Sequence, residues 1–141
     1  MAKILAVIFD WGRTLYSSER GVEYEDAEEV LRYCTGRGYR LAVVSLVSPL
    51  AHSTLDERVR AIERSALRRY FEIARVTDKD KDAALDDVVA HFGLPRESVL
   101  IVDDRVVRGI RYGNRRGHPT VWLKKGKFAN ELPDAETGTP T

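Results

Sequence analysis

The hydrophobic positions of the chain fall into two kinds of segment, short apolar runs and longer stretches with helical periodicity. In the short runs apolar residues occupy consecutive positions, a pattern typical of strands buried on both faces of a parallel sheet. Between these runs, apolar residues recur every three or four positions, which predicts helices with one buried face. The predicted strands are Lys3–Phe9, Leu41–Val44, Ile73–Val76, Val99–Val102 and Thr120–Leu123.

Residues that start or stop helices lie between the predicted strands. Thr54 is followed three residues later by Glu57, the pattern of a capping box at the start of a helix. Gly93 follows one apolar stripe, and Gly117 ends a basic stretch that starts near Val106. Strands that alternate with helices predict an α/β fold: a three-layer α/β/α sandwich around a Rossmann-like, five-stranded parallel sheet.

Length and composition favour one domain. The 141 residues, 43% of them hydrophobic, suffice for one core, so we expect a single domain over residues 1–133. Residues 134–141 are rich in Gly, Thr and Pro, which predicts a disordered tail. A single cysteine excludes an intramolecular disulfide framework, and no run approaches the roughly 20 apolar residues of a membrane helix. With no secretory leader in view, we expect a cytoplasmic protein that does not bind membranes.

The net charge of +1 gives no general attraction to nucleic acid. The stretch 105–127 is basic, however, and Arg108, Arg111 and Arg115 form a strip at helical spacing. This strip favours a small anionic substrate, or the acidic stretch 19–29 of a second copy in a homo-oligomer, over a nucleic acid partner. The 32% of charged residues, with no glutamine and one methionine, are typical of proteins from hot-growing organisms.

Polar residues stand where the predicted strands end. Asp10, Ser45, Asp103 and Asp104 follow three of the strands directly, and Lys79 comes shortly after another. Ligands of parallel α/β sheets bind at the carboxyl ends of the strands. Carboxylates hold a hard cation such as Mg²⁺, which neutralises phosphate oxygens, and a lysine and a hydroxyl complete an anion site. The pattern therefore predicts a site for a divalent cation and a phosphorylated ligand.

Four segments, in order, resemble the motifs of haloacid dehalogenase-like hydrolases. Residues Val7–Leu15 resemble the first motif, an apolar strand followed by Asp-x-Asp-x-Thr-Leu. Ser45 resembles the second motif, and Lys79, fourteen residues before Gly93, resembles the third. Residues Val99–Arg105 resemble the fourth, acidic motif. The likeness spans roughly residues 3 to 123 and leaves little room for a cap domain, so the chain is similar to a small, capless member of this superfamily.

The resemblance implies catalytic roles for these residues. Asp10 would attack phosphorus and form an aspartyl-phosphate, which divides hydrolysis into two easier steps. Ser45 and the lysine would bind the phosphoryl oxygens as charge shifts in the transition state. Lys79 fits the usual spacing, but Lys81 remains an alternative. A phospho-receiver domain is less favoured, because it would have its acidic pair after the first strand.

The resemblance also implies a Mg²⁺ site and a set of residues around the substrate. The expected metal ligands are Asp10, Asp103, Asp104 and the backbone carbonyl of Gly12; one of the two adjacent aspartates could instead cap the next helix. The other first-motif residues, which are Trp11, Arg13 and Thr14, are expected on the substrate-binding side. Trp11 could equally cover the edge of the core.

Two residues depart from the family pattern. Phosphatases of the superfamily carry a second aspartate, a general acid and base, at the position of Gly12. Losing such a group typically costs about 10²- to 10⁴-fold in rate. Arg13 replaces the usual glycine and could either clamp phosphate or obstruct the pocket. Two hypotheses follow: a Mg²⁺-dependent phosphatase acting through Asp10, or a catalytically degenerate binding module that keeps affinity for cation and phosphate.

Overall fold

The computed structural model of the chain describes residues 3–48, 54–123 and 137–141. Short apolar runs form its strands, and the periodic stretches form its helices. In chain order the elements are β1 (Ala6–Phe9), β2 (Tyr16–Ser17), β3 (Val22–Glu23), α1 (Ala27–Gly36), β4 (Arg40–Leu46), α2 (Leu55–Arg64), β5 (Ile73–Thr77), α3 (Lys81–Phe92), β6 (Val99–Asp103), α4 (Arg111–Arg116) and β7 (Thr120–Trp122).

Five strands form one parallel sheet in the order β5-β4-β1-β6-β7, which confirms the predicted class and sheet. The chain moves outward from β1 through β4 to β5, then crosses back to β6 on the other side of β1. The strand order therefore reverses between β1 and β6, and a crevice opens there at the carboxyl ends of the strands. In this register Phe9 pairs with both Val43 and Val102.

Helices cover both faces of the sheet, as the three-layer prediction requires. Alternate residues of β1 point to opposite faces, so that Val7 packs in one hydrophobic cluster and Ile8 in the other. Leu31 of α1 and Ile62 of α2 belong to the cluster of Val7. The cluster of Ile8 contains residues of α3 and α4, among them Leu85, Val88 and Tyr112. In the described part of the chain, no helix is long and apolar enough to cross a membrane.

The structure differs from the predicted elements in two places before the C-terminus. Strands β2 and β3 form an antiparallel hairpin between β1 and α1, and each has only two residues, too few for periodicity to reveal. The basic helix after β6 is divided: residues Val106–Ile110 form a π-helical turn, and only Arg111–Arg116 are α-helical.

Residues 137–141, part of the segment expected to be disordered, lie against α4 and the outer edge of β7. Asn114 Nδ2 donates to the carbonyl oxygens of Thr137 and Thr139, both at 3.0 Å. The backbone N–H of Thr120 donates to Thr141 Oγ1 at 3.0 Å, and that of Thr141 donates to Thr120 Oγ1 at 2.9 Å. The bond from Thr120 satisfies a backbone N–H that an edge strand would otherwise expose. Residues 134–136 lie outside the described residues.

Candidate functional site

Three carboxylates meet at the crevice between β1 and β6. Asp10 comes directly after β1, Asp103 is the last residue of β6, and Asp104 follows it. Since Phe9 and Val102 are paired in parallel register, Asp10 and Asp103 leave the sheet side by side. One oxygen from each carboxylate lies within 4.8 Å of the others. The structure therefore brings these three predicted residues together.

Lys81, the first residue of α3, lies between two of these carboxylates. Its Nζ atom is 2.8 Å from Asp10 Oδ1 and 2.7 Å from Asp103 Oδ2, and its side chain is only 5% exposed. Burial alone would lower the pKa of Lys81, but the two carboxylates outweigh burial and raise that pKa above its usual value. The ammonium group is therefore charged, as an ion buried with its partners should be.

The structure does not bring Lys79 into the site, which corrects the choice made from spacing. Lys79 is exposed in the turn before α3, and its backbone N–H donates to Thr77 Oγ1 at 3.1 Å. Asp80 caps α3 by accepting from the N–H of Asp82, which makes Lys81 the first helical residue. Lys81 then lies on the buried face of the helix, and its side chain reaches the crevice.

Burial and the neighbouring charges shift the pKa values of the three carboxyl groups in different directions. Burial, together with the charges of Asp10 and Asp103, raises the pKa of Asp104 to about 9. Burial also raises the pKa of Asp10, with a further contribution from Asp103. Burial opposes ionisation of Asp103 too, but Lys81 and the N–H of Arg105 outweigh it and lower that pKa. These shifts favour the protonated forms of Asp10 and Asp104 and the ionised form of Asp103.

The donor set fits a hard divalent cation. Asp104 Oδ2 is buried and has no hydrogen-bond partner among the described residues. Leaving such an oxygen unpaired costs free energy, which a metal ligand bond would recover. Three carboxylate oxygens close together are the ligands that Mg²⁺ prefers. Asp10, Asp103 and Asp104 are therefore suitable ligands, and the carbonyl of Gly12 remains a predicted fourth.

Backbone groups hold Asp103 in a defined orientation. The N–H of Arg105 donates to Asp103 Oδ1 at 3.0 Å, and the N–H of Gly109 donates to Oδ2 at 2.9 Å. A Cβ atom at position 109 would lie 2.5 Å from Asp103 Oδ2, so only glycine allows this approach. Gly109 is a site residue that sequence reasoning missed, because nothing in the local pattern indicates a backbone contact with Asp103.

Ser45 lies at the carboxyl end of β4, next to Asp10, and only 1% of its surface is exposed. Its Oγ atom accepts a hydrogen bond of 2.8 Å from Nη1 of Arg58, a half-buried residue of α2. Arg58 is close enough to Asp10 for the carboxylate to favour its charged form, although burial lowers the pKa of Arg58 more strongly. Arg58 was also missed from the sequence, because only the tertiary fold brings α2 to this strand end.

Trp11 does not reach the substrate side of the site, which corrects that expectation. Its side chain is 1% exposed within the core, and its ring stacks on Tyr16 with centroids 5.4 Å apart. Thr14 is also buried, and its Oγ1 donates to Asp10 Oδ2 at 3.3 Å. Thr14 therefore orients Asp10, whereas Trp11 supports the loop from below.

Gly12 and Arg13, the two departures from the family pattern, lie on the loop after Asp10. Arg13 has φ 61°, a left-handed conformation that explains why glycine is usual at this position. Its Nε atom donates to Glu19 Oε1 at 3.1 Å. Among the described residues, a Cβ atom at position 12 would meet only Ser18 Oγ, at an ordinary 3.5 Å. The loop could therefore accommodate a side chain at residue 12.

Comparison with known proteins supports this reading of the fold. No family model matches the sequence, and no curated protein matches it. A predicted phosphoglycolate phosphatase from Haemophilus somnus 129PT is similar in structure, with TM-score 0.72, 14% identity, and 97% of this chain and 92% of that chain covered. D,D-heptose 1,7-bisphosphate phosphatase from Burkholderia thailandensis has TM-score 0.69 and 18% identity, with 92% and 88% covered.

An L-2-haloacid dehalogenase is also similar, with TM-score 0.75, 13% identity, and 99% of this chain and 93% of that chain covered. At these identities the likeness concerns the fold. The chain thus has the haloacid dehalogenase-like fold, and the resemblance seen in its sequence motifs is confirmed at that level.

Proposed function

We propose that the protein is a Mg²⁺-dependent, haloacid dehalogenase-like hydrolase that removes phosphate from phosphorylated substrates through an aspartyl-phosphate on Asp10. One observation carries the proposal: Lys81 bridges Asp10 and Asp103, with Asp104 alongside, at the crevice where the strand order reverses. Two structural neighbours are named as phosphatases, which supports the same chemistry.

The metal would be held by Asp10, Asp103, Asp104 and the carbonyl of Gly12. When bound, Mg²⁺ would neutralise phosphoryl oxygens and hold the phosphoryl group against the nucleophile. Asp104 would serve as a ligand in its ionised form, because a carboxyl group must lose its proton to bind a cation.

The protein side chains would carry out the remaining steps. A carboxylate oxygen of Asp10, oriented by Thr14, attacks phosphorus while the bond from phosphorus to the leaving oxygen breaks. Lys81 and Ser45 stabilise the phosphoryl oxygens in the transition state. Since residue 12 has no carboxyl group, the leaving oxygen takes its proton from solvent. Water then attacks the phosphorus of the aspartyl-phosphate, which releases inorganic phosphate and restores Asp10.

Hydrolysis of para-nitrophenyl phosphate tests this proposal, because its leaving group needs little protonation. We expect turnover that requires Mg²⁺ and is abolished in Asp10→Asn. Lys81→Met should lower kcat/KM by about 10²-fold or more, the usual effect of losing a group that stabilises transition-state charge. Lys79→Met is the matched control, because the same change at an exposed lysine two residues away should leave kcat/KM unchanged. No turnover above the Asp10→Asn background would contradict the proposal.

A second candidate is a binding module with little or no turnover, and the glycine at position 12 favours it. Because a side chain fits there, Gly12→Asp tests the difference directly. In a degenerate site the new carboxylate should raise phosphatase activity, by up to about 10²- to 10⁴-fold. Gly12→Asn introduces a side chain of the same shape that cannot act as an acid or a base, so it should give no such gain. If Gly12→Asp instead lowers native turnover, the protein is an enzyme adapted to glycine.

A further inference from the structure

Two cationic side chains approach Asp10 from opposite layers of the fold. Lys81 comes from α3, which covers one face of the sheet, and Arg58 comes from α2, which covers the other. Lys81 is bound to carboxylates, whereas Arg58 donates to a hydroxyl, that of Ser45. The two residues therefore contact different kinds of group at the same strand ends.

The hydrogen bond between Arg58 and Ser45 orients both side chains so that each could donate to an anion. Ser45 Oγ acts as the acceptor at 2.8 Å, so the hydroxyl hydrogen remains available to donate to a further acceptor. A guanidinium carries its N–H donors in a planar fork that matches phosphate oxygens, and Nη1 of the Arg58 fork is directed at Ser45. Ser45 lies near the carboxyl end of β4, which pairs with β1, so the fork that contacts Ser45 lies near the strand end that carries Asp10. Burial lowers the pKa of Arg58, and the charge of Asp10 opposes that shift.

We infer that Arg58 is a substrate-binding residue that, together with Ser45, donates hydrogen bonds to oxygens of the transferred phosphoryl group. This inference rests on the proposed function, since it names a further contact of the same substrate. The phosphoryl group would lie between Lys81 on one side and Arg58 with Ser45 on the other. Arginine at this place would supply charge and orientation together, which a lysine supplies less well.

The simplest rival is that Arg58 only positions Ser45. A double-mutant cycle separates the two roles, with inorganic phosphate as the probe and isothermal titration calorimetry in the presence of Mg²⁺ as the measurement. If Arg58 acts only through Ser45, Arg58→Met should have no further effect once Ser45 is changed to alanine. If Arg58 binds phosphate itself, the substitution should weaken binding in both backgrounds.

All variants are made in the full chain. Arg58→Met should raise the Kd for phosphate by about 10- to 100-fold in both the native and the Ser45→Ala backgrounds, as loss of a charge-assisted hydrogen bond does. Arg58→Lys should give an intermediate value. Arg60→Met, at an exposed arginine of the same helix, should leave the Kd unchanged.

Two results would overturn the inference. One is a native Kd in Arg58→Met with its fold intact by circular dichroism. The other is an effect of Arg58→Met that vanishes in the Ser45→Ala background. If Arg58→Met fails to fold, Arg58→Lys decides the matter, since a native Kd and KM in that variant would contradict a role for the guanidinium in binding the phosphoryl group. Turnover of the native protein tests the proposed function separately, so failure of one does not imply failure of the other.

Discussion

Asp103 is held by its chain neighbours as much as by Lys81. Two backbone N–H groups and one ammonium donate to its two oxygens, so the carboxylate has little freedom to turn. One of these donors belongs to Gly109, whose missing side chain leaves room for Asp103 Oδ2. The orientation of a candidate metal ligand therefore depends on a residue with no chemistry of its own.

We predict that Gly109→Ala damages the site more than the size of a methyl group suggests. The added Cβ would force Asp103 to move, which should destabilise the fold by about 1 to 3 kcal/mol, the usual cost of overpacking. Mg²⁺-dependent turnover should fall together with the thermal stabilisation that Mg²⁺ confers. Gly36→Ala is the control, because a Cβ there meets no atom within 4 Å in the part of the chain that the structure describes. Denaturant unfolding and thermal shift with Mg²⁺ measure both effects; a native response in Gly109→Ala would be inconsistent with this account.

Strand-end chemistry was readable from the sequence at Asp10, Ser45, Asp103 and Asp104, because a buried strand places its next residue at the sheet edge. The sequence did not show which way each of these side chains points. Lys79 and Lys81 are both near the end of β5, and only the start of α3 decides which one turns inward. Trp11 is next to Asp10 in sequence yet points into the core.

At the scale of elements, α2 begins with a capping box that the sequence predicted. Thr54 Oγ1 accepts from the N–H of Glu57 at 3.2 Å, and the N–H of Thr54 donates back to Glu57 Oε1 at 3.2 Å. This box fixes the first turn of the helix, which includes Arg58. The cap therefore contributes to the geometry near Ser45 as well as to helix stability.

Thr54→Ala should lower the free energy of unfolding by about 1 kcal/mol, the typical value of an N-cap. The phosphate affinity should fall by a smaller factor than in Arg58→Met, because a frayed first turn leaves Arg58 less often in place. Thr35→Ala serves as the comparison, since Thr35 is an exposed residue inside α1, where alanine is the better helix former. Urea denaturation of the two variants provides the measurement. Equal stabilities would rule out a stabilising role for the cap.

Long elements followed from periodicity, whereas short and irregular ones did not. The hairpin of β2 and β3 has two residues in each strand, and no pattern of that length is distinctive. The π-helical turn at Val106–Ile110 lies in a segment whose apolar residues also suit an α-helix. Residues of this turn contact Asp103 and the sheet, and sequence periodicity does not reveal such contacts.

For the whole molecule, the buried ring of His118 links stability to pH. Its Nδ1 atom lies 3.0 Å from the carbonyl oxygens of Arg96 and Val99, and Nε2 is buried without a hydrogen-bond partner among the described residues. The ring also stacks on Tyr112, with centroids 5.8 Å apart. Burial lowers the pKa of His118, because protonation would leave a charged N–H without a partner.

The free energy of unfolding should therefore fall as the pH drops below about 6.5, where His118 takes up a proton in the unfolded chain but not in the folded one. One such group contributes at most about 1.4 kcal/mol per pH unit. His118→Asn, which keeps an N–H near the two carbonyls but does not titrate, should show a shallower fall between pH 7 and 5. Denaturant unfolding across this range measures the difference. Identical slopes for both proteins would exclude His118 as the cause.

The pairing of Thr120 with Thr141 also bears on how molecules of this protein could associate. Unpaired strand edges are places where a second molecule can add a strand and extend a sheet into larger assemblies. At β7 the outward backbone N–H of Thr120 is already bound to a hydroxyl of the same chain. A neighbouring copy would have to displace that segment before it could dock there. The bond between Thr120 and Thr141 therefore opposes sheet extension at this position of the β7 edge.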